Sequence, residues 1–149
     1  MSKQHKFPKN IYLADDDQDD RLLFVDAVQE LGLPVTVHTS ADGSQLLDAL
    51  YQAGADLPDI IILDINMPFK NGFECLAEIR SGDGPFNDIK VIMFSTSRSP
   101  ENISRSYELG ADFYAIKPAT YGEYKKLIQS VTQIDWSTAA RNKTQFLLF

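Results

Sequence analysis

Asp59-Ile60-Ile61-Ile62-Leu63-Asp64-Ile65-Asn66-Met67-Pro68 decides the architecture of this chain. Four branched aliphatic residues in unbroken succession read as a strand covered on both faces, since a strand with one wet face alternates apolar and polar residues. Strands of that kind belong to parallel sheets sandwiched between helices. The run ends on Asp64, and in an open parallel sheet ligands gather outside the carboxyl ends of the strands.

Working outward, the same grammar recurs: Ile11-Tyr12-Leu13-Ala14 stops at Asp15-Asp16, Val91-Ile92-Met93-Phe94 at Ser95, and Tyr114-Ala115-Ile116 at Lys117. Between these runs lie segments of helical period. Asp19–Leu31 places Leu22, Val25, Val28 and Leu31 on one face and is stopped by Gly32 and Pro34. Asp42 with Gln45, Ser99-Pro100-Glu101 and Thr120-Tyr121-Gly122-Glu123 read as helix N-termini, and Gly72–Ser81 as a further helix. Val35–Thr39 alternates like an edge strand, and the fifth strand, which follows Asp112 and contains Tyr114, reads as the other edge. The expected fold is α/β, a doubly wound (βα)5 flavodoxin-like sandwich. Its parallel five-stranded sheet takes the order 2-1-3-4-5, which puts Asp15, Asp16 and Asp64 across one crevice at the switch point.

At 149 residues and 44% hydrophobic content, one compact domain is the expectation. The predicted organisation is a flexible segment over 1–9, the domain over 10–133, and a tail over 134–149 with no output domain. The net charge is −7, and the aspartates at 15, 16, 17, 19 and 20 alone account for −5 of it. A nearly neutral remainder without a basic stripe argues against nucleic-acid binding. Cys75 is the single cysteine, so no internal disulfide can form, and no apolar run reaches the length of a signal peptide or membrane span. A cytoplasmic protein is expected.

Three carboxylates in one crevice repel, by about 4 kcal/mol for two charges ~4 Å apart at an effective dielectric near 20, so a cation belongs among them. Oxygen ligands without a His or Cys cluster suit Mg²⁺ better than zinc. Lys117 adds an ammonium and Ser95 a hydroxyl around oxygens that approach Asp64. That set suits phosphoryl transfer with Asp64 as nucleophile, forming an aspartyl phosphate.

Taken together, Asp15-Asp16, Asp64 within Leu63-Asp64-Ile65-Asn66-Met67-Pro68 followed by Gly72, Ser95, and Lys117-Pro118 resemble the receiver domain of two-component response regulators, here a stand-alone one. The resemblance covers about residues 10–133. It implies phosphorylation of Asp64 by a histidine kinase or phosphotransfer protein, and Mg²⁺ held by Asp16, Asp64 and the backbone carbonyl of Asn66, with Asp15 acting through water. It further implies that Ser95 moves to the phosphoryl group while Tyr114 turns inwards, that Lys117 pairs with a phosphoryl oxygen, and that the bond between Lys117 and Pro118 is cis. The protein would be a signalling phosphoacceptor rather than an enzyme, apart from catalysing its own phosphorylation and dephosphorylation. It would act on a downstream protein target, and by analogy form a homodimer through the helix 4 to helix 5 face. Ala119 departs from the family, in which a large aromatic is common at that position.

Other readings stay open at this stage: a degenerate receiver serving as a phosphate-independent scaffold, an aspartate-nucleophile phosphatase, and a flavodoxin-like binding module. Asn66 cannot supply the second acid that the phosphatase expects. Five carboxylates after the first strand repel the phosphate that the flavodoxin-like module would bind. Asp17, Asp19 and Asp20 read as a solvated turn and helix start. The tail, with Trp136 and Phe146-Leu147-Leu148-Phe149, either packs on helix five or on a partner, or is an unstructured end.

Overall fold

The computed structural model describes residues 8–82, 84–136 and 141–148. Strands β1 (Asn10–Ala14), β2 (Thr36–Ser40), β3 (Ile60–Asp64), β4 (Lys90–Ser95) and β5 (Phe113–Ile116) alternate with helices α1 (Gln18–Glu30), α2 (Gly43–Gln52), α3 (Gly72–Ile79), α4 (Pro100–Glu108) and α5 (Tyr121–Gln133). A 3-10 turn, Lys143–Gln145, leads into a two-residue strand β6 (Leu147–Leu148). All strand pairs are parallel, and the order is β2-β1-β3-β4-β5-β6.

Every residue of β3 is buried, because the sheet divides the core in two. Ile61 and Leu63 face a cluster with Leu46, Leu50, Phe73 and Leu76 of α2 and α3, which Ile103 and Tyr107 of α4 extend. Ile60 and Ile62 face Phe24 and Val28 of α1 and Leu127, Ile128 and Val131 of α5. Side chains alternate across a strand, so one apolar run feeds both layers. The helices start where the capping chemistry requires: Asp42, Asn71, Ser99 and Thr120 each accept from a backbone N–H of their first turn. Cys75 is buried in the first cluster, and burial pushes its thiol up to about 12, which suits a packing residue.

Several expectations are corrected here. The fifth strand is not an edge: β6 pairs with it, Tyr114 opposite Leu147 and Ala115 opposite Leu148. Helix α1 buries Phe24, Ala27 and Val28, while Leu22 is 53% exposed; apolar residues surround this helix, and the alternative stripe fits the sheet better. The bond between Lys117 and Pro118 is trans, as no cis peptide occurs among the described residues. The trans isomer is intrinsically favoured before proline by about 0.5–1 kcal/mol. Of the segment over 1–9, residues 1–7 lie outside the described ones, and the Lys9 N–H donates to Asp59. The tail is held in part: Trp136 packs edge-on against Phe113 at 5.5 Å and donates to the Val131 carbonyl, and Phe146 is buried, while Phe149 lies outside the described residues.

Candidate functional site

At the carboxyl ends of β1 and β3 the chain must turn away from the sheet, and each turn is pinned by an aspartate. Asp15 Oδ1 accepts from the Asp17 N–H at 3.0 Å, and Asp64 Oδ1 from the Asn66 N–H at 3.2 Å. The turn after β3 also needs Gly72. A Cβ there would collide with the Asp64 carbonyl oxygen and come within 2.8 Å of Ile65 Cα. Only a residue without a side chain lets α3 begin so close to the strand end.

The opposing turns bring Asp15, Asp16 and Asp64 together, with one carboxylate oxygen of each lying within 4.8 Å of the others. Asp15 and Asp64 are buried and Asp16 is exposed. Lys117, from the end of β5, reaches across: its Nζ lies 3.0 Å from Asp15 and 3.2 Å from Asp64. Burial pushes the Asp64 carboxyl up to about 7, with the Asp15 charge adding and Lys117 opposing. Burial likewise raises Asp15. Burial alone would lower Lys117, but the attraction of Asp64 and Asp15 outweighs it and holds the ammonium above its ordinary range.

A divalent cation fits this donor set. Asp15 Oδ2 is buried and forms no aligned hydrogen bond, although Lys117 stands beside it as an ion-pair partner. One ammonium among three close carboxylates leaves the crevice anionic, and all the donors are hard oxygens of the kind Mg²⁺ and Mn²⁺ select. The Asn66 N–H is engaged with Asp64, which orients the following backbone around the site.

Ser95 is fully buried, and its Oγ accepts from the Ser97 N–H at 3.0 Å. Tyr114 is also fully buried, pointing inwards, with its hydroxyl donating to the Ser97 carbonyl at 2.8 Å. The two residues predicted to act as a switch are therefore joined through Ser97.

Three contributors were missed in the sequence. Asp20 Oδ2 lies 3.2 Å from Lys117 Nζ, and Asp20 Oδ1 accepts from the Tyr124 hydroxyl at 3.1 Å. Asp20 is therefore part of the site rather than a solvated helix start. Tyr124 comes from α5, and burial together with the Asp20 charge raises its hydroxyl far above the usual range. Arg21 donates to the Asp15 carbonyl at 2.7 Å. Asp20 lies in the first turn of α1, which begins directly after the Asp15-Asp16 pair, a placement that could have marked it as lying at the same end of the sheet.

The Response regulator receiver domain profile matches residues 11–129. Among curated proteins, response regulator Rcp1 of Synechocystis sp. (strain ATCC 27184 / PCC 6803 / Kazusa) is 29% identical over 88% of this chain and 91% of its own. Among solved structures, the phosphorylated cyanobacterial phytochrome response regulator RcpA is 34% identical with a TM-score of 0.79, covering 89% of this chain and 96% of that one. The Mn²⁺-bound form of Rcp1 is 26% identical with a TM-score of 0.74, covering 91% and 99%. The strand order through β5, the acidic crevice and the profile match converge, and this chain belongs to the response regulator receiver domain family.

Proposed function

We propose that this protein is a phosphoacceptor switch of a two-component phosphorelay, taking a phosphoryl group on Asp64 from a histidine kinase or phosphotransfer protein. One observation carries the reading: a recessed carboxylate at a strand end, 3.2 Å from a lysine and within 4.8 Å of two further aspartates. Raised to about 7 by burial, the metal-free Asp64 carboxyl is partly protonated at neutral pH and a weaker nucleophile for it. Bound Mg²⁺, held by Asp15, Asp16 and Asp64 with help from the Asn66 carbonyl, would lower that value and neutralise oxygen charge.

An Asp64 oxygen attacks the phosphorus of the donor, a P–O bond forms, and the P–N bond of phosphohistidine or the P–O bond of acetyl phosphate breaks. Lys117 then exchanges its carboxylate partners for a phosphoryl oxygen. Ser95 Oγ leaves the Ser97 N–H to donate to another, and Tyr114, bonded to the Ser97 carbonyl, carries the change to the face of α4, β5 and α5. The receiver then signals by protein contact in the cytoplasm. The downstream partner, and a homodimer through the same face, belong to this proposal. The complete set of site residues counts against a phosphate-independent scaffold.

Intact-protein mass spectrometry after incubation with acetyl phosphate tests the reading. One phosphoryl group should add in the presence of Mg²⁺, be removed by hydroxylamine as an acyl phosphate must, and be absent from Asp64→Asn. An adduct that resists hydroxylamine, or that persists in Asp64→Asn, defeats it.

A further inference from the structure

The outer edge of β5 is closed by residues 146–148. The Tyr114 N–H donates to the Phe146 carbonyl at 2.9 Å, and β6 continues the pairing from there. The Phe146 ring is 2% exposed; it meets Tyr107 of α4 edge-on at 5.2 Å and lies 6.4 Å from the Tyr114 ring. Arg141 fastens the start of the segment, donating to the Ala111 carbonyl at 2.8 Å and to that of Tyr107, with its guanidinium 4.1 Å from the Tyr107 ring centre.

A two-residue strand is too short to hold itself by main-chain pairing. Its anchors are therefore Phe146 and Arg141, and both engage the stretch from α4 to β5. Tyr114 is the shared element. On one side its backbone and ring are held by Phe146, and on the other its hydroxyl reaches the Ser97 carbonyl, whose residue also donates to Ser95 Oγ. Contact with the tail thus favours the inward ring, the same arrangement that the switch reading assigns to the phosphorylated state.

We propose that residues 141–148 are an intramolecular ligand of the β5 edge, and that their docking is coupled through Tyr114 and Ser97 to occupancy of the Asp64 site. The coupling rests on the phosphoacceptor reading and adds a reciprocal relation to it. If the docked tail raises affinity for a phosphoryl group, a phosphoryl group must tighten the tail by the same factor.

Hydrogen exchange of the full chain, with Mg²⁺ and with or without beryllofluoride as a phosphoryl mimic, tests this. Beryllofluoride should slow exchange at Tyr114, whose N–H is held by the Phe146 carbonyl, and at Leu148, on the far side of the same bridge. Phe146→Ala should bind the mimic about 5-fold more weakly, the low end of ordinary coupling. Unchanged protection of these amides in the wild-type chain overturns the proposal, as does equal affinity in a folded Phe146→Ala. Should that variant fail to fold, the wild-type exchange result decides. A wild-type chain that binds beryllofluoride no better than Asp64→Asn defeats the phosphoacceptor reading and the coupling with it. Labelling of Asp64 by acetyl phosphate with an unresponsive tail defeats the coupling alone.

Discussion

Lys117 Nζ stands 3.2 Å from Asp64 Oδ2 across the crevice, and the same ammonium serves Asp15 and Asp20. Its side chain is 10% exposed, so the attraction is poorly screened by solvent. Breaking a buried ion pair by removing one partner costs about 3–5 kcal/mol. Lys117→Met should therefore lower metal-free stability at pH 8 by about 3 kcal/mol. Saturating Mg²⁺, or acidification to about pH 5, should restore part of the loss, because both remove uncompensated negative charge. Thermal melts in the three conditions check this; a loss equal in all three would locate the effect in packing instead.

Asp64 gives the fold a pH dependence of definite sign. Its carboxyl is pushed up to about 7 by burial, against about 3.9 in the unfolded chain. Between those values the folded state binds more protons, so stability falls as pH rises through the window. Asp64→Asn should match wild type near pH 4 and exceed it at pH 8 without metal, by at most about 4 kcal/mol at roughly 1.4 kcal/mol per pKa unit. Urea titrations across pH measure the difference, and Mg²⁺ should shrink it.

Metal affinity can be separated from stability at Asp16, the exposed member of the acidic trio. Asp16→Asn should leave stability within about 0.5 kcal/mol, as exposed substitutions usually do. Affinity for Mg²⁺ or Mn²⁺ should drop on the order of 10-fold or more, since even supporting residues of metal sites act on that scale. Isothermal titration with each metal reads it directly.

Gly72 is needed for space, not for a left-handed backbone. Gly72→Ala drives a Cβ into the Asp64 carbonyl and Ile65 Cα, and overpacking of this kind costs about 1–3 kcal/mol. Gly122 in α5 has nothing within 4 Å of a built Cβ, so Gly122→Ala should gain up to about 1 kcal/mol from helix propensity. Opposite shifts in urea midpoint check the pair, and only Gly72→Ala should also weaken metal binding.

The central strands were legible because burial on both faces leaves no alternation: β1, β3 and β4 read straight from their apolar runs, and the polar residues ending them are the site. The caps Asp42, Ser99 and Thr120 were equally plain, since their bonds reach only three residues ahead. What escaped was set by distant contacts. Leu22, Leu23, Phe24 and Val25 surround α1 with apolar side chains, so only packing against the sheet and α5 selects the Phe24 face. The strand β6 is too short for any period and exists because the edge of β5 accepts it. The cis bond expected between Lys117 and Pro118 rested on the resemblance alone, whereas the local preference before proline is for trans. Asp20 looked like one more acid at a helix start until α5 brought Tyr124 against it.

Asp20 yields the last expectation. Its carboxylate competes with Asp15 and Asp64 for Lys117, and it also accepts the Tyr124 hydroxyl. Asp20→Asn keeps an acceptor for Tyr124 while removing one negative charge and one hold on the lysine. An incoming phosphoryl group then meets less repulsion and an ammonium with fewer partners. With Asp20 26% exposed and Asp15 and Asp64 still holding the lysine, that difference is about 1 kcal/mol, which corresponds to phosphorylation by acetyl phosphate about 5-fold faster. Time-resolved intact-protein mass spectrometry with Mg²⁺ measures the rate. Labelling slower than wild type would mean that Asp20 positions Lys117 for the phosphoryl group rather than restraining it.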